Sequence, residues 1–177
     1  MRATKIRIIS GIEYQSPAIK KAIHLLKYRG AKRIANTLAR ELYQRITEEV
    51  AEWLIIHAGN TPIVIPIPLS KKSQRIRQYN HAELISEQFA NLMGASVQKD
   101  ILLKIRETNR QARTKTKAER LKNVSGSMAA VNVASLCGSP VIIIDDVCTT
   151  GATIAEAARA LRAGGFYGPM IAVTVAH

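Results

Sequence analysis

Cysteine is nearly absent from this 177-residue chain: only Cys137 and Cys148 occur. Their spacing is unlike that of metal ligands, and two thiolates alone cannot close a structural zinc site, so no zinc is expected and a reducing, cytoplasmic setting is. Aromatic residues make up 5%, too few for a base-stacking platform that reads nucleic-acid sequence. No apolar run approaches the roughly 18 residues of a membrane span, and "MRATKIRIIS" has no apolar core of a signal peptide, so no membrane span is expected. No G-x-x-x-x-G-K occurs, which removes the P-loop ATPases. Acidic residues are also scarce, 13 against 26 Lys and Arg, for a net charge of +13.

The excess charge is blocked. Residues 1–80 hold 15 Lys and Arg against 5 Asp and Glu, and residues 99–122 hold 9 against 3. Clusters of this kind suit a polyanion, either nucleic acid, anionic lipid or a phosphorylated small molecule. Lys20, Lys21, Lys27, Arg29, Lys32 and Arg33 recur along two helical patterns and form a candidate stripe for single-stranded DNA. An apolar content of 47% is that of a folded protein, and the length fits one domain with a real core.

Helices and strands alternate along the chain. Ser16 and Pro17 precede Ile19, Ile23 and Leu26 on one helical face, and "YRG" ends that helix. A second helical pattern runs through Ile34, Leu38, Leu42 and Ile46 to about Ile56. "TPIVIPIP" reads as a short buried strand. Asn80 with Glu83 begins a helix whose apolar face is Leu84, Ile85, Phe89 and Leu92, and Gly94 ends it. "SVQKDILLKI" is a second strand candidate, while the polar, basic segment "RETNRQARTKTKAERLKN" offers no apolar face and reads as a mobile arm, spanning residues 104–123. "VIIID" is a strand, Thr153–Ala163 a helix closed by two glycines, and "PMIAVTVAH" a last strand. The expectation is an α/β fold, a parallel sheet flanked by helices. Residues 1–57 form an N-terminal helical segment on a core domain of residues 58–177.

The chemistry concentrates in "VIIIDDVCTTGAT", residues 141–153. Two carboxylates end a buried strand, where ligands of parallel sheets bind. A turn of hydroxyls then leads into a helix. Backbone N–H groups of Cys148, Thr149, Thr150, Gly151, Ala152 and Thr153, with the threonine hydroxyls, can converge on one phosphate. A ribose 5-phosphate satisfies both halves, with its phosphate in the turn and its hydroxyls on Asp145 and Asp146. A pyrophosphate on the same sugar would bring Mg²⁺, held by those acids through water. The alternative reading, a strand whose polar end meets solvent, explains the two acids but not the whole string.

That string resembles the signature of the type I phosphoribosyltransferases, which bind 5-phosphoribosyl-1-pyrophosphate (PRPP). More of the chain resembles one branch, the ComF family of competence-associated proteins: "HLLKYRG" at 24–30, "VIPIPLSKKSQRIRQYNHAEL" at 64–84, and the pattern Arg106, Thr108, Gln111, Arg120, Asn123, Gly126. The family pattern R-G-F-N-Q is here Arg77-Gln78-Tyr79-Asn80-His81, and the cysteines of the family's N-terminal zinc ribbon are not in this sequence. The resemblance implies a parallel sheet with a small hood and a pyrophosphate contact at Pro68–Arg77, using Ser70, Lys71, Lys72 and Arg75. It also implies that Arg106, Gln111 and Arg120 close over the ligand as a hood or flexible loop. Loss of pyrophosphate needs no nucleophile; the cations and Mg²⁺ neutralise the leaving group, and Asp145 and Asp146 support the ring. His24, His57 and His81 are candidate bases for an acceptor, but each reads first as a structural or surface residue. Two functions stay open. One is a Mg²⁺-dependent phosphoribosyltransferase acting in DNA uptake. The other is a catalytically inactive module of the same fold that binds single-stranded DNA, a competence ATPase or helicase, and recombination proteins.

Overall fold

The computed structural model describes residues 6–26, 31–57, 61–77, 79–108 and 116–177. Five parallel strands form the main sheet: β1 (Arg7–Ile12), β2 (Ile63–Pro66), β3 (Ser96–Val97), β6 (Val141–Val147) and β7 (Met170–Ala176). Their order is β1-β7-β6-β2-β3. Strands β4 (Leu102–Lys104) and β5 (Met128–Ala130) pair antiparallel as a separate two-stranded hood, with Lys104 opposite Met128.

The strand at the centre shows why the sequence folds this way. Val141, Ile142, Ile143 and Ile144 are all fully buried. Alternation sends Ile142 and Ile144 to one core cluster and Val141 and Ile143 to the other. On the first face lie α2 (Ala31–Ile56) and α4 (His81–Met93), which bury Leu42, Ile85 and Phe89. On the second lies α6 (Ala152–Ala163), which buries Ile154, Ala157 and Leu161 beneath the hood. A strand apolar on both faces demands a helix on each side, as expected from the sequence.

Capping follows the sequence with variations. Pro17 starts α1 (Pro17–Leu25), though Ser16 makes no side-chain cap bond. Asn80 accepts from Ala82 N–H and turns its amide to Glu83, so the acid steadies the cap residue instead of the helix end. Gly94 closes α4 in the left-handed conformation.

Three expectations need correction. The N-terminal segment is not wholly helical. Residues 7–12 add the parallel edge strand β1, tied to β7 by a Ser10–Thr174 hydroxyl contact of 2.8 Å. Its Gly11 lies so close to α2 that a Cβ would meet Leu42 at 2.6 Å. "SVQKDILLKI" is two strands in two sheets, because the chain leaves the main sheet after Val97. The arm is ordered at both ends: Lys104 belongs to β4, and α5 (Lys117–Val124) begins at Thr116 with a reciprocal capping box to Glu119. Hydrophobic periodicity cannot see α5, since local capping and docking on α6 sustain it.

Candidate functional site

Topology makes the crevice. After β2 the chain passes through α3 (Lys71–Arg77) and α4 to β3 at one edge; after β6 it passes through α6 to β7 on the other side. The loops leaving adjacent β2 and β6 therefore part, and parallel sheets bind ligands at such a switch point. A cleft of about 840 Å³ opens there, bordered by Ser70 and Lys72 from one loop and Asp145, Asp146, Thr149 and Thr153 from the other.

Asp145 and Asp146 are half-buried at the end of β6. Each braces the strand end locally: Asp145 Oδ1 accepts Asp146 N–H at 2.9 Å, and Asp146 Oδ1 accepts Val147 N–H at 2.8 Å. Burial, then the adjacent Asp146 carboxylate, pushes Asp145 well above the ordinary carboxylate range. Asp145 is thus costly to keep charged without a hydroxyl donor or cation.

In the turn, Gly151 caps α6 in the left-handed conformation, φ 72°. The first helical bond runs from Ala155 N–H to Gly151 C=O at 2.8 Å, so the N–H groups of Ala152, Thr153 and Ile154 precede the helix's own ladder. Thr149 and Thr153 border the cleft, and Thr150 is half-buried outside its lining. Cys148 does not join the cradle: its N–H is taken by Ala176 C=O at 2.9 Å, and its side chain is buried in the core. Burial raises that thiol. Nor is close ligand approach the visible reason for Gly151. A Cβ there would point at Ile8 Cδ1, 3.2 Å away on the edge strand.

On the opposite wall, Ser70 caps α3, accepting Ser73 N–H at 3.2 Å. Lys72 N–H donates to Glu107 Oε1 at 3.3 Å. Hydrogen bonding from Ser70 holds Glu107 below the usual carboxylate range; burial opposes it, and the Lys72 N–H bond with the Lys72 and Lys104 charges adds to the lowering. The donors expected for pyrophosphate therefore hold a carboxylate in this conformation. Arg75 is exposed a turn further along α3 and does not border the cleft; the side chain of Lys71 lies outside the described residues.

The hood residues divide. Arg120 Nη1 reaches Thr149 Oγ1 at 3.4 Å, bringing α5 onto the turn that leads into α6. Arg106 instead donates to the carbonyls of Asn123 and Ser125, at 3.0 and 2.7 Å, so it fastens the end of α5 and does not close the cleft. Gln111 lies outside the described residues. Glu156 welds hood to core: buried on α6, it accepts Met128 N–H at 3.1 Å and two Arg159 bonds at 2.7 and 2.8 Å.

Lys20, Lys21, Lys32 and Arg33 are exposed on α1 and the first turn of α2, whereas Lys27 and Arg29 lie outside the described residues. Lys20 donates to Gln15 at 3.0 Å and stands 5.6 Å over the Tyr14 ring, which itself borders the cleft. Of the candidate bases, His81 borders the cleft, edge-on to Tyr79; His24 is exposed, and the His57 ring lies tilted against Trp53, 5.1 Å between centroids. Among the described residues no group of three or more His, Cys, Asp or Glu could hold a metal, and no helix is long and apolar enough to cross a membrane.

Sequence reasoning missed Tyr14, Lys104 and Glu107. The β-branched run before Gly11 is a signal for β1, and hence for Tyr14 at its carboxyl end. Lys104 and Glu107 carry no local signal.

The parallel sheet, the crevice at its switch point and the small hood make this an α/β protein whose candidate site lies beyond the carboxyl ends of β2 and β6. The chain is also a homologue of bacterial competence and DNA-utilization proteins. It is 26% identical to the DNA utilization protein YhgH of Salmonella typhi over 164 residues, covering 90% of this chain and 67% of that one. To Competence protein F of Haemophilus influenzae it is 29% identical, covering 79% and 60%. To Competence protein ComFC of Bacillus subtilis it is 29% identical, covering 83% and 55%. The chain thus spans two thirds or less of the length of the last two and about two thirds of the first. No family model matches it. A solved structure described as the allosteric regulatory enzyme of purine biosynthesis superposes with a TM-score of 0.46 at 20% identity, covering 80% of this chain and 25% of that one.

Proposed function

We propose that this chain is a Mg²⁺-dependent, PRPP-binding protein of phosphoribosyltransferase type that serves DNA uptake or use. One observation carries the reading: a single cleft joins two half-buried carboxylates, a hydroxyl-lined helix N-terminus and a basic opposite wall. A ribose 5-phosphate puts its phosphate against Thr149, Thr153 and the first N–H groups of α6, where Arg120 also arrives, and its hydroxyls on Asp145 and Asp146. Two adjacent carboxylates fit Mg²⁺, which takes one or two such ligands, water and the ligand's own phosphate oxygens; bound, it would neutralise the leaving pyrophosphate. For pyrophosphate to reach Ser70 and the N–H of Lys72, Glu107 has to give way. The relatives' names support the setting in DNA uptake, with single-stranded DNA, a competence ATPase and recombination proteins as proposed partners.

Calorimetry with PRPP, with and without Mg²⁺, tests this reading on wild type and on the Asp145→Asn/Asp146→Asn double variant. The variant should lose PRPP affinity about tenfold or more, since hydrogen bonds to charged groups contribute roughly 1.5–3 kcal/mol each, while inorganic phosphate binds as before. Equal loss of both ligands would show that the acids only support the turn.

A second reading is favoured by exposed Lys20, Lys21, Lys32 and Arg33, of which Lys20 stands over Tyr14 at the border of the cleft. In it the fold binds single-stranded DNA and PRPP is not turned over. Pyrophosphate release with a panel of nitrogen bases distinguishes the two.

A further inference from the structure

The hood is covered on one edge and open on the other. In its ladder Val131 N–H donates to Ile101 C=O and Ile105 N–H to Ser127 C=O, each at 2.9 Å. Antiparallel pairing alternates, so Leu103 exchanges bonds with Ala129, while the backbone groups of Leu102, Lys104 and Met128 point away from the ladder. Those of Met128 are taken: its N–H by Glu156 and its C=O by Arg159, each at 3.1 Å. Those of Leu102 and Lys104 have no partner among the described residues. A second cavity, of about 600 Å³, runs along this open edge, lined by Leu102, Leu103, Lys104 and Ile105 with Pro68 and Leu69. Leu103 and Ile105 stand on the face turned away from buried Leu102, 40% and 62% exposed. An apolar strand edge left unpaired is a template for another strand.

The edge's own sequence fits it. "KDILLKIRE", residues 99–107, is apolar at its centre and reverses charge about Leu103: Lys99 and Asp100 come before, Arg106 and Glu107 after. Laid antiparallel on a second copy about Leu103, it sets Leu103 against Leu103, Ile101 against Ile105, Asp100 against Arg106 and Lys99 against Glu107. Opposite charges that face each other across strands are stabilising. The same register sets Leu102 against Lys104, the two residues whose backbone groups face outward, so these pairs exchange the bonds. A register centred on Lys104 would set two ammonium groups face to face. One centred on Leu102 would leave Arg106 and Glu107 opposite uncharged residues. Asp100 is exposed and belongs to no ion pair among the described residues, and Arg106 donates to neutral carbonyls, so both charges are still uncompensated.

We propose that the open edge of β4 is a homodimer interface, at which two copies pair antiparallel about a two-fold axis through Leu103. The hoods then form one continuous ribbon. Because Lys104 also borders the cleft, that ribbon joins the clefts of the two copies. The pairing does not depend on what the cleft binds.

Sedimentation velocity on the full chain, from roughly 5 to 500 µM, should show a reversible monomer–dimer equilibrium. Its Kd should be on the order of 10–100 µM, because a ribbon edge buries less than the roughly 1,600 Å² of a standard interface. Asp100→Arg sets like charges opposite each other at both ends of the pairing and should weaken the dimer about tenfold. Oxidation reads the register in a Cys137→Ser background, where the remaining Cys148 is buried. Facing residues that do not exchange hydrogen bonds have Cα atoms about 4.5 Å apart, within disulfide reach. Leu103→Cys should therefore cross-link to its copy, and Ile105→Cys, which faces Ile101, should not. Hydrogen exchange needs no substitution: the Leu102 and Lys104 amides of wild type should slow about tenfold or more as the dimer fills, while Leu103 is protected throughout. A chain that stays monomeric at the highest concentration overturns the proposal, even where the edge takes a strand from another protein. So does a dimer that ignores Asp100→Arg and leaves those two amides unprotected, or one that Ile105→Cys cross-links in place of Leu103→Cys.

Discussion

Truncating Glu156 to Ala should loosen the hood without touching the cleft's own groups. The carboxylate is 4% exposed, accepts Met128 N–H, and binds Arg159, whose side chain is 29% exposed. Losing one partner of a fully buried pair costs about 3–5 kcal/mol, but Arg159 can turn partly to water. The cost then reduces mainly to an orphaned Met128 N–H and a cavity, about 2–3 kcal/mol. For a domain of this size that lowers Tm by roughly 4–12 °C. Glu156→Gln keeps an acceptor and loses only the charge, so its effect should be about half. The sign of the pH dependence separates the charge from the packing. Burial would raise the Glu156 pKa, but hydrogen bonds from Arg159, Met128 and Gly126 and the Arg159 charge outweigh it, and the native value is lowered. Its contribution is therefore fully present above the unfolded value of about 4.3 and is lost as pH falls through the native value. Urea unfolding of wild type and Glu156→Gln should show the largest gap near neutral pH, closing in acid. Hydrogen exchange at the Met128 amide should accelerate in Glu156→Ala. A Glu156→Ala protein within 0.5 kcal/mol of wild type, with unchanged Met128 exchange, would refute the claim that this pair joins hood and core.

Gly151→Ala should destabilise by about 1–2 kcal/mol, because a Cβ is strained at φ 72° and meets Ile8 at 3.2 Å; a neutral effect in thermal melting would show that the turn adapts. DNA affinity, if the basic stripe carries it, should fall steeply with salt. Replacing Lys20, Lys21, Lys32 and Arg33 by Ala should flatten the log–log slope by about 3, at roughly 0.7 per single-strand phosphate contact. Fluorescence anisotropy that is flat with salt in wild type, or unchanged in the variant, would remove the stripe from DNA binding.

The sequence by itself determined the parallel core and one half of the site. Val141–Ile144 is apolar at every position, so the strand must be covered on both faces, and the acids and threonines that follow it must stand at its carboxyl end. Those are consecutive residues, and their proximity is guaranteed by the chain. The opposite wall is not. Lys104 ends a strand that pairs with Met128–Ala130, some 24 residues away, Glu107 follows three residues on, and no local periodicity announces that pairing. Likewise Ile8 and Tyr14 reach the site only because β1 docks on β7 at the far end of the chain. The same long-range contacts reassigned Cys148, whose N–H is taken by Ala176, and Arg106, whose guanidinium is fixed by the end of α5. Local sequence sets what a residue can offer; tertiary structure decides which offers are already taken, because each hydrogen-bonding group has few partners and folding assigns them across the whole chain.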